Sequence, residues 1–426
     1  MDKYVITGGI PLVGTVRVSG AKNSALKLMA ASLLSSEKTV LHNVPLIRDV
    51  LTMGEVLREI GARVTISPDR VEIDPGGELS PTAPYELVRR MRASILVMGP
   101  LLARLGRARV AMPGGCNIGP RHINYHLSGL EKLGAKINAD HGFINVAARN
   151  LTGDIINLEY PSMGATENLI MAASTARGRT VIESAAREPE IIDLAKFLTS
   201  MGARINGAGT DTIVIDGVES LSGATHTVIP DRVEAGTFML AAAVTGGDVE
   251  VTGANPLHLE IFTSKIRAIG VDVKEYDHHV RVKGGGEYFS TDIATLPFPG
   301  FPTDLQAPVM VLLSLAGGHS IVTENVFENR FSFVEELNRL GACIRTSGHH
   351  AVVHGNTRFE GAIVEATDLR AGAALVLAGL CASGVTEVRH IQHIDRGYED
   401  LEFKLKGLGA DIERVDTADR ISTAVT

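Results

Sequence analysis

The sequence has no tryptophan, and aromatic residues make up only 4% of it. Its cores must therefore be filled by Leu, Val, Ile and Ala. It has three cysteines, an odd number that argues against a disulfide framework and fits a reducing compartment. Long apolar runs are missing: stretches such as Ala371 to Ala382 are interrupted or too short to span a bilayer, so no membrane insertion is expected. The first residues, Met1-Asp2-Lys3-Tyr4-Val5-Ile6, lack a basic region followed by an apolar stretch, so no secretory signal is expected and a cytoplasmic location is. Positive charge is in deficit, with 41 Lys and Arg against 49 Asp and Glu and a net charge of −8. That argues against non-specific nucleic-acid binding. It leaves room for an anionic small substrate, because local Arg and Lys groups override global charge.

What the chain does have is length, glycine and a repeat. Its 426 residues suffice for two or three domains, and its 45 glycines exceed the usual share of about 7%. A Gly-Ala or Gly-Val pair behind an apolar residue recurs at Ile60-Gly61-Ala62, Leu133-Gly134-Ala135, Met201-Gly202-Ala203, Ile269-Gly270-Val271, Leu340-Gly341-Ala342 and Leu408-Gly409-Ala410, about 70 residues apart. Each unit reads alike. A polar or glycine turn opens an Ala/Leu-rich helix, a β-branched strand follows, and an amphipathic helix ends at the signature before one or two more strands. In the first unit the opening helix is expected near Lys22 to Leu34, the strand at Thr39 to Val44 and the second helix near Ile47 to Ile60. Gly61 suits the C′ position that stops the second helix. The other opening helices are expected to begin near Met91-Arg92, Ser162-Met163-Gly164, Pro230-Asp231, Pro302-Thr303-Asp304 and Thr367-Asp368. Helix N-termini carry partial positive charge and unpaired N–H groups, so several aimed at one cleft attract an anion.

Chemistry is sought where the units differ. Pro113-Gly114-Gly115-Cys116-Asn117-Ile118-Gly119-Pro120-Arg121 sets one cysteine among glycines and prolines, a loop suited to close approach to a ligand. It reads equally as a turn that holds a small residue. Cys343 and Cys381 read as inert packing residues. Lys22-Asn23 stands at the mouth of the first helix and resembles a phosphate cradle, without a Walker sequence; taken alone, Lys22 reads as a surface lysine. Arg92, Arg121, Arg330, Arg370 and Arg396 recur at unit junctions. Each alone reads as a surface ion pair; together they suit bidentate binding of carboxylate or phosphate. Asp231, Asp304 and Asp368 lie at helix mouths, where they are either caps or, for Asp304 behind the rigid Phe301-Pro302-Thr303 entry, a general base. His122 and His126 have i,i+4 spacing, but no Glu follows His122 and no Cys pair exists, so no metal site is expected.

These residues carry a resemblance. Ser-Gly-Ala-Lys22-Asn23, Met91-Arg92-Ala-Ser-Ile, Pro-Gly-Gly-Cys116, Gly164-Ala-Thr166, Ala186-Arg-Glu188-Pro-Glu190, Pro230-Asp-Arg, Phe-Pro-Thr-Asp304, Phe-Glu-Asn-Arg330-Phe, Ala-Thr-Asp368-Leu-Arg370 and His393-Ile-Asp-Arg396-Gly-Tyr are similar to the motifs of the enolpyruvyl transferase family, and within it of the enzymes that act on UDP-N-acetylglucosamine. The resemblance implies a two-domain inside-out α/β barrel of six βαβαββ-type units. One half would span 21–229, the other 1–20 with 230–418, and 419–426 would be a tail. It implies transfer of the enolpyruvyl group of phosphoenolpyruvate to the 3-hydroxyl of the sugar nucleotide in a cleft between the halves. Phosphate is released, no metal or organic cofactor takes part, and the step belongs to peptidoglycan synthesis. Cys116 matches the general acid, which fosfomycin alkylates, and Asp304 the acceptor of the hydroxyl proton. Lys22, Arg121 and Arg396 match phosphoenolpyruvate ligands, with Arg330 and Arg370 in support. Asn23, Arg92, Arg121, Ser162, Met163, Gly164, Val326 and Asp368 match substrate contacts. A monomer or weak homo-oligomer is expected. Asn124, Tyr160 and Met163 depart from the family pattern, which keeps two other readings in play: a relative using a different nucleotide sugar or hydroxylated acceptor, and a non-catalytic sugar-nucleotide binder.

Overall fold

Five strongly apolar or small-residue segments become helices, and their composition decides where they go. A helix that is hydrophobic all round belongs in an interior. In the computed structural model, which describes residues 2–112 and 123–416, Arg232–Val244 and Leu369–Cys381 are buried along almost their whole length, as are Lys22–Ala31, Met163–Ala173 and Gln306–Leu315. The second helices of the units are amphipathic instead. Arg48–Ile60 buries Val50, Met53, Val56, Leu57 and Ile60, the 3.6-residue stripe read from the sequence. Each such side chain contributes about 1.5–3 kcal/mol on burial.

The glycine signature ends each of these segments. Gly61, Gly134, Gly202, Gly270, Gly341 and Gly409 all have φ between 94° and 113°, a left-handed conformation that costs other L-residues energy. Beyond each glycine the chain forms a strand.

The described chain falls into two compact units, one holding the residues up to Ser19 and from Pro230 onward, the other Gly20 to Ile229. Each has its own apolar core and three small sheets; the opening helices lie inside, and the amphipathic ones keep one exposed face. The sheet pattern repeats. The strand after the opening helix pairs antiparallel with the second strand of the following hairpin, as Thr39–Val44 does with Asp69–Asp74, and a parallel strand such as Thr225–Thr227 flanks it. Among the described residues the sheet of the second repeat has three strands, and a parallel bridge from Thr82 to Arg109 takes the place of the flanking strand. In the sixth, Lys3–Thr7 inserts antiparallel between Val385–Arg389 and Asp411–Val415, so the beginning of the chain completes the last module.

Buried charges tie the interior helices. Lys27 pairs with Glu167 of Met163–Ala173, whose carboxyl is pushed up to about 7 by burial, with Lys27 opposing the shift. In the other unit Glu234 accepts from Lys404 Nζ at 2.5 Å and from the Ser19 backbone N–H at 2.9 Å. Burial pushes this carboxyl up to about 7 as well. Cys381 is packed as the sequence suggests, and burial pushes its thiol up to about 12. Cys343 is not: it is exposed. It opens the strand Cys343–Ser347, in which Ile344 is the buried residue, and in a period-two element its neighbour faces outward. Among the described residues no helix is long and apolar enough to cross a membrane.

Candidate active site

The three helix-mouth aspartates divide into two kinds. Asp231 caps Arg232–Val244, its Oδ1 accepting the N–H groups of Val233 and Glu234 at 2.8 and 3.1 Å. Asp368 caps Leu369–Cys381 in the same way, from Arg370 and Ala371 at 2.8 and 3.2 Å. Asp304 is not an N-cap. It lies inside the single turn Thr303–Leu305 that leads into Gln306–Leu315, and its side chain turns to two guanidiniums. Arg330 Nη2 donates to Oδ1 at 2.7 Å and Arg370 Nη2 to Oδ2 at 3.1 Å. Both arginines are buried, at 5% and 4% exposure, while the Asp304 side chain is 26% exposed.

Each arginine is braced by a ring. The Arg370 guanidinium lies 5.3 Å from the centre of Tyr398, whose hydroxyl pairs with Thr237 at 2.9 Å. Arg330 lies 5.4 Å from the centre of Phe327. Burial alone weakens the Arg370 charge, but Asp304, Tyr398 and Asp231 together outweigh it and hold that guanidinium above its ordinary value. Arg370 Nη1 is buried without a hydrogen-bond partner among the described residues. Such a donor, in a region of little water, is suited to an anion.

Arg396 ends the turn Ile391–Arg396. A Cβ on Gly372 would stand 2.6 Å from Ile394 Cγ1, so glycine at 372 is what lets this turn rest on the helix that carries Arg370. Val326 is held by its backbone N–H, which donates to Glu324 Oε1 at 2.8 Å.

The unit of Gly20 to Ile229 holds a second group. Lys22, the first residue of Lys22–Ala31, meets Asp49 in the first turn of Arg48–Ile60, with Nζ 2.7 Å from Oδ2 and both side chains buried. Asn23 follows, half-buried. Arg92 opens the turn Arg92–Val97, and Ser162 caps Met163–Ala173 through Ala165 N–H at 3.4 Å. His126 relates these two. Its ring lies against Gly164, where a Cβ would stand 3.2 Å from Cε1 and Nε2. Burial, and after it the charge of Arg92, pushes the imidazole down to about 3.

The tautomer of His126 follows from Asn168. The Asn168 Oδ1 accepts Gly99 N–H at 2.8 Å, so its Nδ2 donates to Ile95 O at 3.2 Å and to His126 Nδ1 at 2.9 Å. A neutral imidazole that accepts at Nδ1 carries its proton on Nε2, beside Gly164.

The structure thus brings Asp304, Arg330, Arg370 and Val326 into one cluster, with Arg396 on the adjoining turn and Asp368 as a cap beneath it. It gathers Arg92 and Gly164 around His126, sets Met163 at the start of the helix that Ser162 caps, and pairs Lys22 with Asp49. Cys116, Arg121 and His122 lie outside the described residues, as does the expected tail 419–426. Sequence reading missed Asp49, Asn168 and Glu324. Asp49 carried a weak signal as an acid in a helix's first turn; the other two carried none, because their partners are distant in sequence.

A protein-family model described as EPSP synthase (3-phosphoshikimate 1-carboxyvinyltransferase) matches residues 6–405. The UDP-N-acetylglucosamine 1-carboxyvinyltransferase 2 of Carboxydothermus hydrogenoformans is 55% identical over 417 residues, covering 97% of this chain and 100% of its own. The UDP-N-acetylglucosamine 1-carboxyvinyltransferase 3 of Caldanaerobacter subterraneus subsp. tengcongensis is 51% identical over 415 residues, with coverage of 97% and 100%. Among solved structures, the enolpyruvyl transferase NikO from Streptomyces tendae aligns with a TM-score of 0.89 at 27% identity, over 97% of this chain and 99% of that one. An EPSP synthase from Acinetobacter baumannii, at 18% identity and a TM-score of 0.75 over 98% and 100%, shares the fold. Identity above one half along nearly the whole of two such relatives leaves one assignment: the chain belongs to the UDP-N-acetylglucosamine 1-carboxyvinyltransferases, within the EPSP synthase family of enolpyruvyl transferases.

Proposed function

We propose that this protein transfers the enolpyruvyl group of phosphoenolpyruvate to the 3-hydroxyl of UDP-N-acetylglucosamine and releases phosphate. The observation that carries this reading is the Asp304 carboxylate held between Arg330 and Arg370, in a chain of this family. Two guanidiniums restrain the carboxylate at both oxygens, which gives it the fixed position that a general base requires.

The chemistry divides between a proton donor, a proton acceptor and a set of cations. Cys116 protonates the methylene carbon of phosphoenolpyruvate, which makes C2 electrophilic. The sugar 3-hydroxyl oxygen bonds to C2 while Asp304 takes its proton. Loss of a proton from the new methyl group then restores the double bond as the C2–O bond to phosphate breaks. Lys22, Arg121 and Arg396 bind the phosphate and carboxylate of phosphoenolpyruvate, and Arg330 and Arg370 offset the charge that develops around C2. Arg92, Arg121, Ser162, Met163, Gly164 and Val326 contact the sugar nucleotide, and Asn23 supports Lys22. Asp368 acts through the helix that it caps. The role assigned to the pathway is peptidoglycan precursor synthesis, in the cytoplasm, by a monomer or weak homo-oligomer that fosfomycin inactivates.

Phosphate release measured with phosphoenolpyruvate and a panel of UDP-sugars tests this. Turnover with UDP-N-acetylglucosamine supports it. Turnover only with another acceptor replaces the substrate, and binding without turnover removes the enzyme assignment.

A further inference from the structure

We infer that Glu324 is a positioning residue for the proposed reaction, a buried carboxylate that clips the turn carrying Asp304 to the segment carrying Val326 and Arg330. This rests on the assignment of Asp304 as the proton acceptor.

Glu324 follows the strand His319–Thr323 and is 1% exposed. Its Oε2 accepts the Thr303 hydroxyl at 3.0 Å, and its Oε1 accepts the backbone N–H groups of Val326 and Phe327 at 2.8 and 3.0 Å. Thr303 is the residue before Asp304, and its carbonyl oxygen accepts from Arg330 Nη2 at 3.5 Å. Phe327 is the ring under Arg330, and Arg330 pairs with Asp304. One carboxylate therefore closes a loop of contacts: Glu324 to Thr303 and Asp304, on to Arg330, to Phe327, and back to Glu324.

The placement suits a positioning role better than general stability. Burying a carboxylate is costly unless its oxygens are satisfied, and an apolar residue would fill a core position more cheaply. Three donors converge on Glu324 from two segments that each carry a proposed site residue. The Val326–Phe327 stretch is neither helix nor strand and Thr303 lies in a single turn; Asn325 ties the first to Thr295 through its backbone N–H and its side-chain amide at 3.0 and 3.1 Å, and Glu324 adds the tie to Thr303. A displacement of about 1 Å at a reacting group costs about 100-fold in rate, so small loosening is enough to matter.

The test compares the full-length protein with Glu324→Gln, Glu324→Ala and Thr303→Val. Glutamine keeps the shape and one carbonyl acceptor for the two N–H groups, and its amide can donate to a rotated Thr303 hydroxyl. Glu324→Ala should lower kcat about 10- to 100-fold while changing the KM for phosphoenolpyruvate less than about 3-fold, and Glu324→Gln should recover most of the loss. Thr303→Val, which removes one arm of the clip without changing volume, should lower kcat in the same direction. Amide hydrogen exchange of the 324–330 peptide should quicken in Glu324→Ala and return toward wild type in Glu324→Gln. A kcat within 2-fold of wild type in Glu324→Ala overturns the proposal, and so does a glutamine variant no better than alanine. If Glu324→Ala does not fold, Thr303→Val decides: unchanged kcat overturns the clip. If the wild-type protein shows no turnover with these substrates, the proposed function fails by itself, and the clip is judged by exchange alone, with an unchanged 324–330 peptide overturning it.

Discussion

Arg330 Nη2 donates to Asp304 Oδ1 at 2.7 Å, with Arg330 buried at 5% exposure. A surface pair of this kind would contribute little. Here the cation is out of water, and the carboxylate that neutralises it is the residue assigned to take a proton. Replacing Asp304 by Asn keeps the side-chain shape and one of the two acceptors and removes the base. Phosphate release should fall by about 100-fold or more with the fold intact by circular dichroism. A loss below about 10-fold would remove Asp304 from that role.

Asp304 and Asp368 differ in what they hold, and stability should report it. Asp368→Ala deletes a cap that serves two N–H groups, which costs about 1 kcal/mol. Asp304→Ala leaves two buried guanidiniums without their shared carboxylate. The expected loss is about 3 kcal/mol, toward the low end for such pairs because the Asp304 side chain is 26% exposed. Urea unfolding of the two variants checks the order; equal losses would mean that Asp304 is one more helix-mouth acid.

His126 sets a pH dependence whose direction is defined. Burial, with Arg92, lowers its pKa from the ordinary 6.5 to about 3 in the folded protein, so the unfolded chain takes up the proton first. Its contribution to stability is complete above pH 6.5 and is lost as pH falls toward 3, by at most about 1.4 kcal/mol per pH unit. Glu167 and Glu234, raised to about 7, act oppositely: their contribution is complete below the ordinary 4.5 and is lost as pH rises through 7. The comparison is therefore made by difference. His126→Asn should gain on wild type in unfolding free energy as pH drops from 6.5 to 4.5, and parallel curves would show that the imidazole is not held neutral.

Cys116 is testable by mass. Incubation with fosfomycin and UDP-N-acetylglucosamine should add one adduct to the Cys116 peptide, since a thiol activated for proton transfer is also a nucleophile. Cys116→Asp should retain turnover and lose the adduct. An unmodified wild-type peptide, or a fully inactive aspartate variant, would count against the acid role.

Much of the architecture was legible because it is written in local terms. The six glycine signatures mark left-handed turns because only a residue without Cβ adopts them cheaply. The opening helices start at Lys22, Met163, Arg232 and Leu369, beside the turns and caps that the sequence displays. The strand Thr39–Val44 has the bounds that its β-branched run suggests. Cys343 was misread because an apolar neighbourhood in sequence does not say which face of a strand is inward.

The candidate site was legible as residue types and not as partnerships. The Phe301-Pro302-Thr303 entry and the family motif single out Asp304, but neither says what its carboxylate meets, and as helix-mouth acids Asp304, Asp231 and Asp368 look alike. The difference appears only when Arg330 and Arg370, 26 and 66 residues away, arrive at its two oxygens. Glu324 and Asn168 were silent for the same reason.

By itself, then, the sequence determined the period, the helix stops, the helix composition and the repertoire of charged groups, since these depend on backbone sterics and on side chains a few residues apart. Only the tertiary structure decided which carboxylate became a cap, which met two guanidiniums, and that Lys3–Thr7 would complete the last sheet. Those outcomes depend on which surfaces distant segments bury together, and burial is what turns a common ion pair into a fixed one.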